Sequence, residues 1–129
     1  VTKTMTLFLI QKFAIDCGHH IEDRDELITK KCARPHGHTY NLEFKIKYVA
    51  LQKSLNREFI DFAIIKDKIK KVLDQYDHQE ITDQFGIDTV ESFIQVILTD
   101  VMVEFDLNNS DLSLRIMETA NSGVELVSN

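Results

Sequence analysis

Four of the five histidines in this 129-residue chain fall in two short clusters, His19–His20 and His36–His38. Residues two apart in a strand point to one face, so His-Gly-His sets the imidazoles of His36 and His38 side by side, and Gly37 keeps the opposite face slim. His19 continues the parity of Phe13, Ile15 and Cys17 and can bring a third ring nitrogen to the same place. His20 points the other way and is not expected to ligate. Three neutral imidazoles suit a zinc ion, and three protein ligands leave a fourth position open to water or substrate, as catalytic zinc requires. The alternative is that each ring is a hydrogen-bonded core residue, the ordinary fate of a lone histidine on an apolar face.

Three more positions carry possible chemistry. Cys32 stands just before the His-Gly-His string and is flanked by Lys30, Lys31 and Arg34. Positive neighbours and a nearby metal increase the thiolate fraction of a cysteine, which would suit proton abstraction or nucleophilic attack; the bland reading is a loop cysteine without a role. His78 follows Asp77 in QYDHQEIT. It is either a histidine favoured by a helix C-terminus or a general acid/base that relays a proton with Cys32, supported by Asp77. Glu118 occupies the apolar parity of Leu112, Leu114 and Ile116. A carboxylate there is costly unless it meets donors, such as a ligand rich in N–H groups, or simply reaches water at the strand end.

The elements that must position these residues are legible from periodicity. Residues 5–17 read as a strand, and a polar loop follows. From His36 the even positions His38, Tyr40, Leu42, Phe44, Ile46 and Tyr48 alternate with polar residues, as in a long half-buried strand. Asp61 can cap a helix whose apolar residues are Phe62, Ile65, Ile69, Val72 and Leu73. A second helix is expected from Asp88, with Glu91 as a capping-box partner and a stripe from Val90 to Phe105. Two short strands, LSLRIMET and VELV, close the chain. The order ββααββ predicts an α+β fold: a four-stranded antiparallel sheet with two helices on one face, in a single domain over 1–129. Such a sheet has two open edges, and pairing between copies would protect them, so a homo-oligomer is expected.

The formal net charge of −6 argues against a general nucleic-acid or anionic-membrane surface. No apolar run approaches the ~20 residues of a membrane span, and no basic-then-apolar signal precedes the first strand. A cytoplasmic location is therefore expected, with Cys17 and Cys32 as free thiols and Cys17 a small buried core residue.

Taken in order, the strings FAIDCGHHI, CARPHGHTY, FIDFAIIK, YDH, DTVE and IMET resemble the 6-pyruvoyltetrahydropterin synthase and 6-carboxytetrahydropterin synthase family over nearly the whole chain. The Cys-x3-His-Gly-His spacing is similar to the carboxy branch, which acts in the queuosine and 7-deazaguanine pathway. The resemblance implies zinc on His19, His36 and His38, and a catalytic triad of Cys32, Asp77 and His78. It implies that Glu118 anchors a pterin ring through its N–H groups, with Thr119 beside it and Glu91 at another pocket position. It also implies the T-fold, assembled as trimeric barrels stacked into a homohexamer with active sites between subunits.

The reaction so implied is that of a zinc-dependent lyase. It converts 7,8-dihydroneopterin triphosphate to 6-carboxy-5,6,7,8-tetrahydropterin, releasing acetaldehyde and triphosphate. Triphosphate elimination to the 6-pyruvoyl product, side-chain cleavage feeding folate, and a non-catalytic pterin- or metal-binding module are the alternatives. Lys30, Lys31 and Arg34 are candidates for meeting the triphosphate. The chain departs from the family pattern at Cys17 and Gly18, where the small residues are often two alanines, and at His20, where Arg is common. It departs again at Tyr76 in place of Leu and at Asp88 in place of Pro. These departures bear on specificity rather than on the metal ligands or the triad.

Overall fold

The computed structural model describes residues 4–21 and 36–127. Cys32 and its basic neighbours Lys30, Lys31 and Arg34 lie outside the described residues.

Strand β1 (Phe8–His19) and strand β2 (His36–Lys47) form a twelve-residue antiparallel ladder. Alternation works as the sequence predicts: Leu9, Ile15, Cys17 and His19 on β1, with Tyr40, Leu42, Phe44 and Ile46 on β2, all turn into the core. The first strand starts later than expected and runs on through His19. The second stops one residue early, because Tyr48 opens an unexpected helix, α1 (Tyr48–Leu55). Tyr48 keeps the strand's apolar parity, which hid the boundary; its N–H bonds to Leu7 O at 2.9 Å and its hydroxyl accepts from Ile60 N at 3.2 Å.

Helix α2 (Phe62–Leu73) starts where Asp61 caps it, the carboxylate accepting from Ala63 N at 2.9 Å. Ile65, Ile69, Val72 and Leu73 are buried, whereas Phe62, expected in the stripe, is exposed. Two short pieces follow, β3 (Gln79–Glu80) and α3 (Ile81–Phe85), the latter ended by Gly86 at φ 70°. Helix α4 (Val90–Phe105) is capped by Thr89 with Ser92 as its box partner, one residue on from the expected Asp88–Glu91 pair. A threonine hydroxyl and a serine three residues later satisfy the same backbone donors, which is why the register shifted.

Strands β4 (Leu112–Met117) and β5 (Gly123–Leu126) complete a sheet of order β3-β1-β2-β4-β5. The expected four antiparallel strands are present; the fifth, β3, adds a two-residue parallel pairing at Cys17 and Gly18 and makes the sheet mixed. Too short to show any periodicity, β3 left no sequence signal. Phe93, Ile97, Val101 and Phe105 of α4 and the buried side of α2 join the inward residues of β2 and β4 in one core. Gly123 is required where it stands: a Cβ there would collide with the backbone oxygen of Ile116 across the β4–β5 hairpin. Among the described residues, no strand pairs with the outer side of β1 from Phe8 to Asp16.

Candidate metal centre and active site

The register of β1 on β2 places His19 directly opposite His36, with His38 two residues along the same face. The three rings meet with centroids 4.4 Å (His19–His36), 5.0 Å (His19–His38) and 4.9 Å (His36–His38) apart. The β4–β5 turn brings Glu118 to them, with its Oε1 2.8 Å from His38 Nε2 and 3.3 Å from His19 Nε2. One ligand atom from each of these four residues lies within 4.8 Å of every other.

His19 is the most informative of the set. It is 3% exposed, the one buried charged or imidazole side chain among the described residues. Its Nδ1 lies 2.9 Å from the carbonyl oxygen of Asp88, which can only accept, so Nδ1 carries a proton and, in the neutral ring, Nε2 is left as the ligating atom. That Nε2 is shielded from solvent and makes no hydrogen bond. A buried nitrogen lone pair facing two further imidazoles and a carboxylate suits a divalent cation, which would satisfy the whole donor set. An orienting carbonyl behind a ligating histidine is also the usual second partner at such centres. Asp88 serves here through its backbone, so its side chain in place of the family's usual Pro leaves the contact intact.

Tyr40 lies beneath the cluster, its ring centroid 5.6 Å from that of His38. Burial and the neighbouring Glu118 carboxylate hold its hydroxyl well above the usual phenol range, so it stays protonated. Cys17 is buried and donates its S–H to Tyr76 O at 3.2 Å. Burial first, then Asp77 and Asp16, push this thiol up to about 12, which makes it a poor nucleophile. The free, buried thiol expected at Cys17 is what the structure has.

Asp77 and His78 form a second group with a residue that sequence reasoning missed, Asp16. His78 Nδ1 lies 3.0 Å from Asp77 Oδ1, and its Nε2 lies 3.9 Å from Asp16 Oδ2. Asp77 Oδ1 also accepts from Asp16 N at 2.9 Å, and Thr39 donates to Asp16 Oδ1 at 2.5 Å. His78 is held in the left-handed region at φ 62° by its N–H bond to Asp16 O. An aspartate in mid-strand, a position such residues avoid, was the available signal for Asp16. Asp16 and Thr39 have the parity opposite to His19 and His38. The Asp77–His78 pair thus contacts outer-face residues while the three histidines share the core-face parity, and one open pocket at the strand ends is lined by both His38 and His78.

The remaining candidates sit apart. Thr119 is exposed, and its hydroxyl accepts from Asn121 N and Ser122 N, shaping the turn that carries Glu118. Glu91 is exposed in the first turn of α4, where its charge complements the helix dipole. His20, as expected, does not join the three-histidine cluster. No helix among the described residues is long and apolar enough to cross a membrane.

No curated protein sequence matches the chain. Its fold matches that of Caenorhabditis elegans 6-pyruvoyl tetrahydropterin synthase with a TM-score of 0.71 at 18% identity, covering 97% of each chain. The Plasmodium vivax enzyme of the same name matches at 0.65 and 20% identity, covering 95% of this chain and 97% of that one. The Plasmodium falciparum enzyme matches at 0.64 and 17%, covering 94% and 96%. The T-fold implied by the sequence resemblance is thus the fold observed. The profile of one sequence family, 6-pyruvoyl tetrahydropterin synthase, matches residues 9–129, and the chain belongs to that family.

Proposed function

We propose that this protein is a zinc-dependent pterin synthase of the carboxy branch, converting 7,8-dihydroneopterin triphosphate and one water to 6-carboxy-5,6,7,8-tetrahydropterin with release of acetaldehyde and triphosphate. The observation that carries the metal half of this reading is the buried, unbonded Nε2 of His19 facing His36, His38 and Glu118. His19, His36 and His38 would hold the ion, which when bound supplies Lewis-acid polarisation of the substrate's side-chain oxygens. The branch assignment rests on the Cys-x3-His-Gly-His spacing.

The chain's own groups do the rest. Glu118 accepts hydrogen bonds from the ring and amino N–H groups of the pterin and so fixes the side chain over the cluster. The Cys32 thiolate removes a proton from that side chain. His78, kept in place by Asp77, moves a proton on the opposite side. Thr119 and Glu91 complete the pocket wall in this reading.

A homohexamer built from two trimers brings these parts together. Two observations favour assembly: the outer side of β1 from Phe8 to Asp16, unpaired by any strand among the described residues, and the contact of the Asp77–His78 pair with Asp16, whose parity is opposite to that of His19. A neighbouring copy can then supply its Asp77–His78 pair to the cluster. The cytoplasm is the compartment proposed.

The deciding experiment for a catalytic rather than a binding role uses metal-loaded Cys32→Ala and 7,8-dihydroneopterin triphosphate. The variant is expected to keep its metal and to lose turnover. Turnover at the wild-type rate would remove Cys32 from the mechanism, and a wild type without turnover would leave a pterin- or metal-binding module.

A further inference from the structure

A second set of metal-ligand residues lies outside the three-histidine cluster. His20 follows the last residue of β1, Glu80 ends β3, and Asp83 lies in α3; one ligand atom from each falls within 4.8 Å of the other two. His20 Nδ1 faces Glu80 Oε1 at 3.6 Å, and His20 Nε2 faces Asp83 Oδ1 at 3.9 Å. Both separations are too long for a hydrogen bond. The first is close to the ligand–ligand edge, about 3.4 Å, of a tetrahedral ion with bonds of about 2.1 Å. An ion takes one ring nitrogen of His20, and with one atom from each residue the three ligands still fall within 4.8 Å of one another.

Two of the facing atoms, His20 Nδ1 and Glu80 Oε1, are shielded from solvent and make no hydrogen bond. Each is nonetheless held in position. Glu80 Oε2 accepts from Asp83 N at 2.8 Å, which turns Oε1 toward His20. The backbone of His20 is clamped from both sides by Thr82, whose hydroxyl accepts from His20 N at 3.0 Å and lies 3.2 Å from His20 O. Among the described residues no Lys or Arg pairs with either carboxylate. Two carboxylates and an imidazole, with Glu80 and His20 held in place and no cationic partner among the described residues, are a donor set for a divalent transition-metal ion of the Zn2+ or Mn2+ class.

We infer that His20, Glu80 and Asp83 form a second divalent-cation site, separate from the three-histidine centre. The site ties the end of β1 to the β3–α3 corner. Strand β3 has only two residues and pairs with β1 only at Cys17 and Gly18, and it directly follows His78. An ion there fastens that corner and with it the Asp77–His78 pair. The inference does not depend on the identity of the pterin product.

The test is metal counting on the full-length protein, stripped with chelator and dialysed against Zn2+ alone. The wild type should retain two ions per chain, and His20→Gln, Glu80→Gln and His38→Ala one each. Asp83→Asn, at a side chain 71% exposed, should weaken the second ion without disturbing the fold, as checked by circular dichroism. Wild-type counts in folded His20→Gln and Glu80→Gln overturn the proposal. So does a single wild-type ion that His38→Ala abolishes, because His20 is then only a ring set between two carboxylates. A single ion abolished by Glu80→Gln but kept by His38→Ala supports the second site and removes the three-histidine assignment instead.

Discussion

His38 Nε2 lies 2.8 Å from Glu118 Oε1, so a carboxylate from the β4–β5 turn reaches the imidazoles of the β1–β2 ladder. This contact gives Glu118 two possible duties. It can anchor the pterin, or it can be a fourth metal ligand that closes the site.

Glu118→Gln separates them. As ring anchor, its loss should lower kcat/KM by about 100-fold, the scale of a positioning defect, while the metal content stays at the wild-type level. Metal content is read by mass spectrometry of the dialysed protein. A variant that loses its metal would make Glu118 a ligand.

Sharing of sites between copies has its own signature. His38→Ala and His78→Ala are each expected to be inactive. When the two are unfolded together and reassembled, an active site can draw an intact cluster from one copy and an intact His78 from another. Random mixing then restores about a quarter of the sites. Sites built within one chain would restore none.

His78 is held at φ 62°, where a non-glycine residue costs roughly 1–2 kcal/mol, and its side chain is 75% exposed. His78→Gly should therefore unfold at higher urea concentration, gaining about 1 kcal/mol, while turnover is lost. An exposed histidine without a role in catalysis would show the stability gain and keep its activity.

Tyr76 replaces the family's usual Leu, and its hydroxyl donates to Asp100 Oδ2 at 2.5 Å. Burial first, then this bond and the charge of Asp100, hold the Tyr76 hydroxyl well above the usual phenol range. A raised folded-state value means that its contribution is fully present below about pH 10 and is lost as pH rises toward the folded value. Tyr76→Phe should cost about 1.5–3 kcal/mol at pH 7 in urea titrations, with the difference from wild type shrinking in strong alkali.

The three-histidine cluster was legible because period-two alternation carries a side chain's direction over a whole strand. His19, His36 and His38 follow from the parity of Ile15, Cys17, Tyr40 and Leu42, whatever the sheet does elsewhere. Asp16 was not legible in the same way. Its role depends on β3 laying the backbone of Asp77 and His78 beside β1, a contact 61 residues apart in sequence that no local pattern encodes. The same reason hid the carbonyl of Asp88 behind His19. Helix α1 was missed for the opposite cause, since Tyr48 satisfies a strand's parity and a helix's first turn equally well.

The most direct test is the reaction of metal-loaded wild type with 7,8-dihydroneopterin triphosphate, followed by mass spectrometry of the pterin, with folded His38→Ala alongside. The predicted result is 6-carboxy-5,6,7,8-tetrahydropterin with acetaldehyde from the wild type and no turnover from the variant. A 6-pyruvoyl product would contradict the carboxy-branch assignment. Equal turnover by His38→Ala would contradict the metal centre itself.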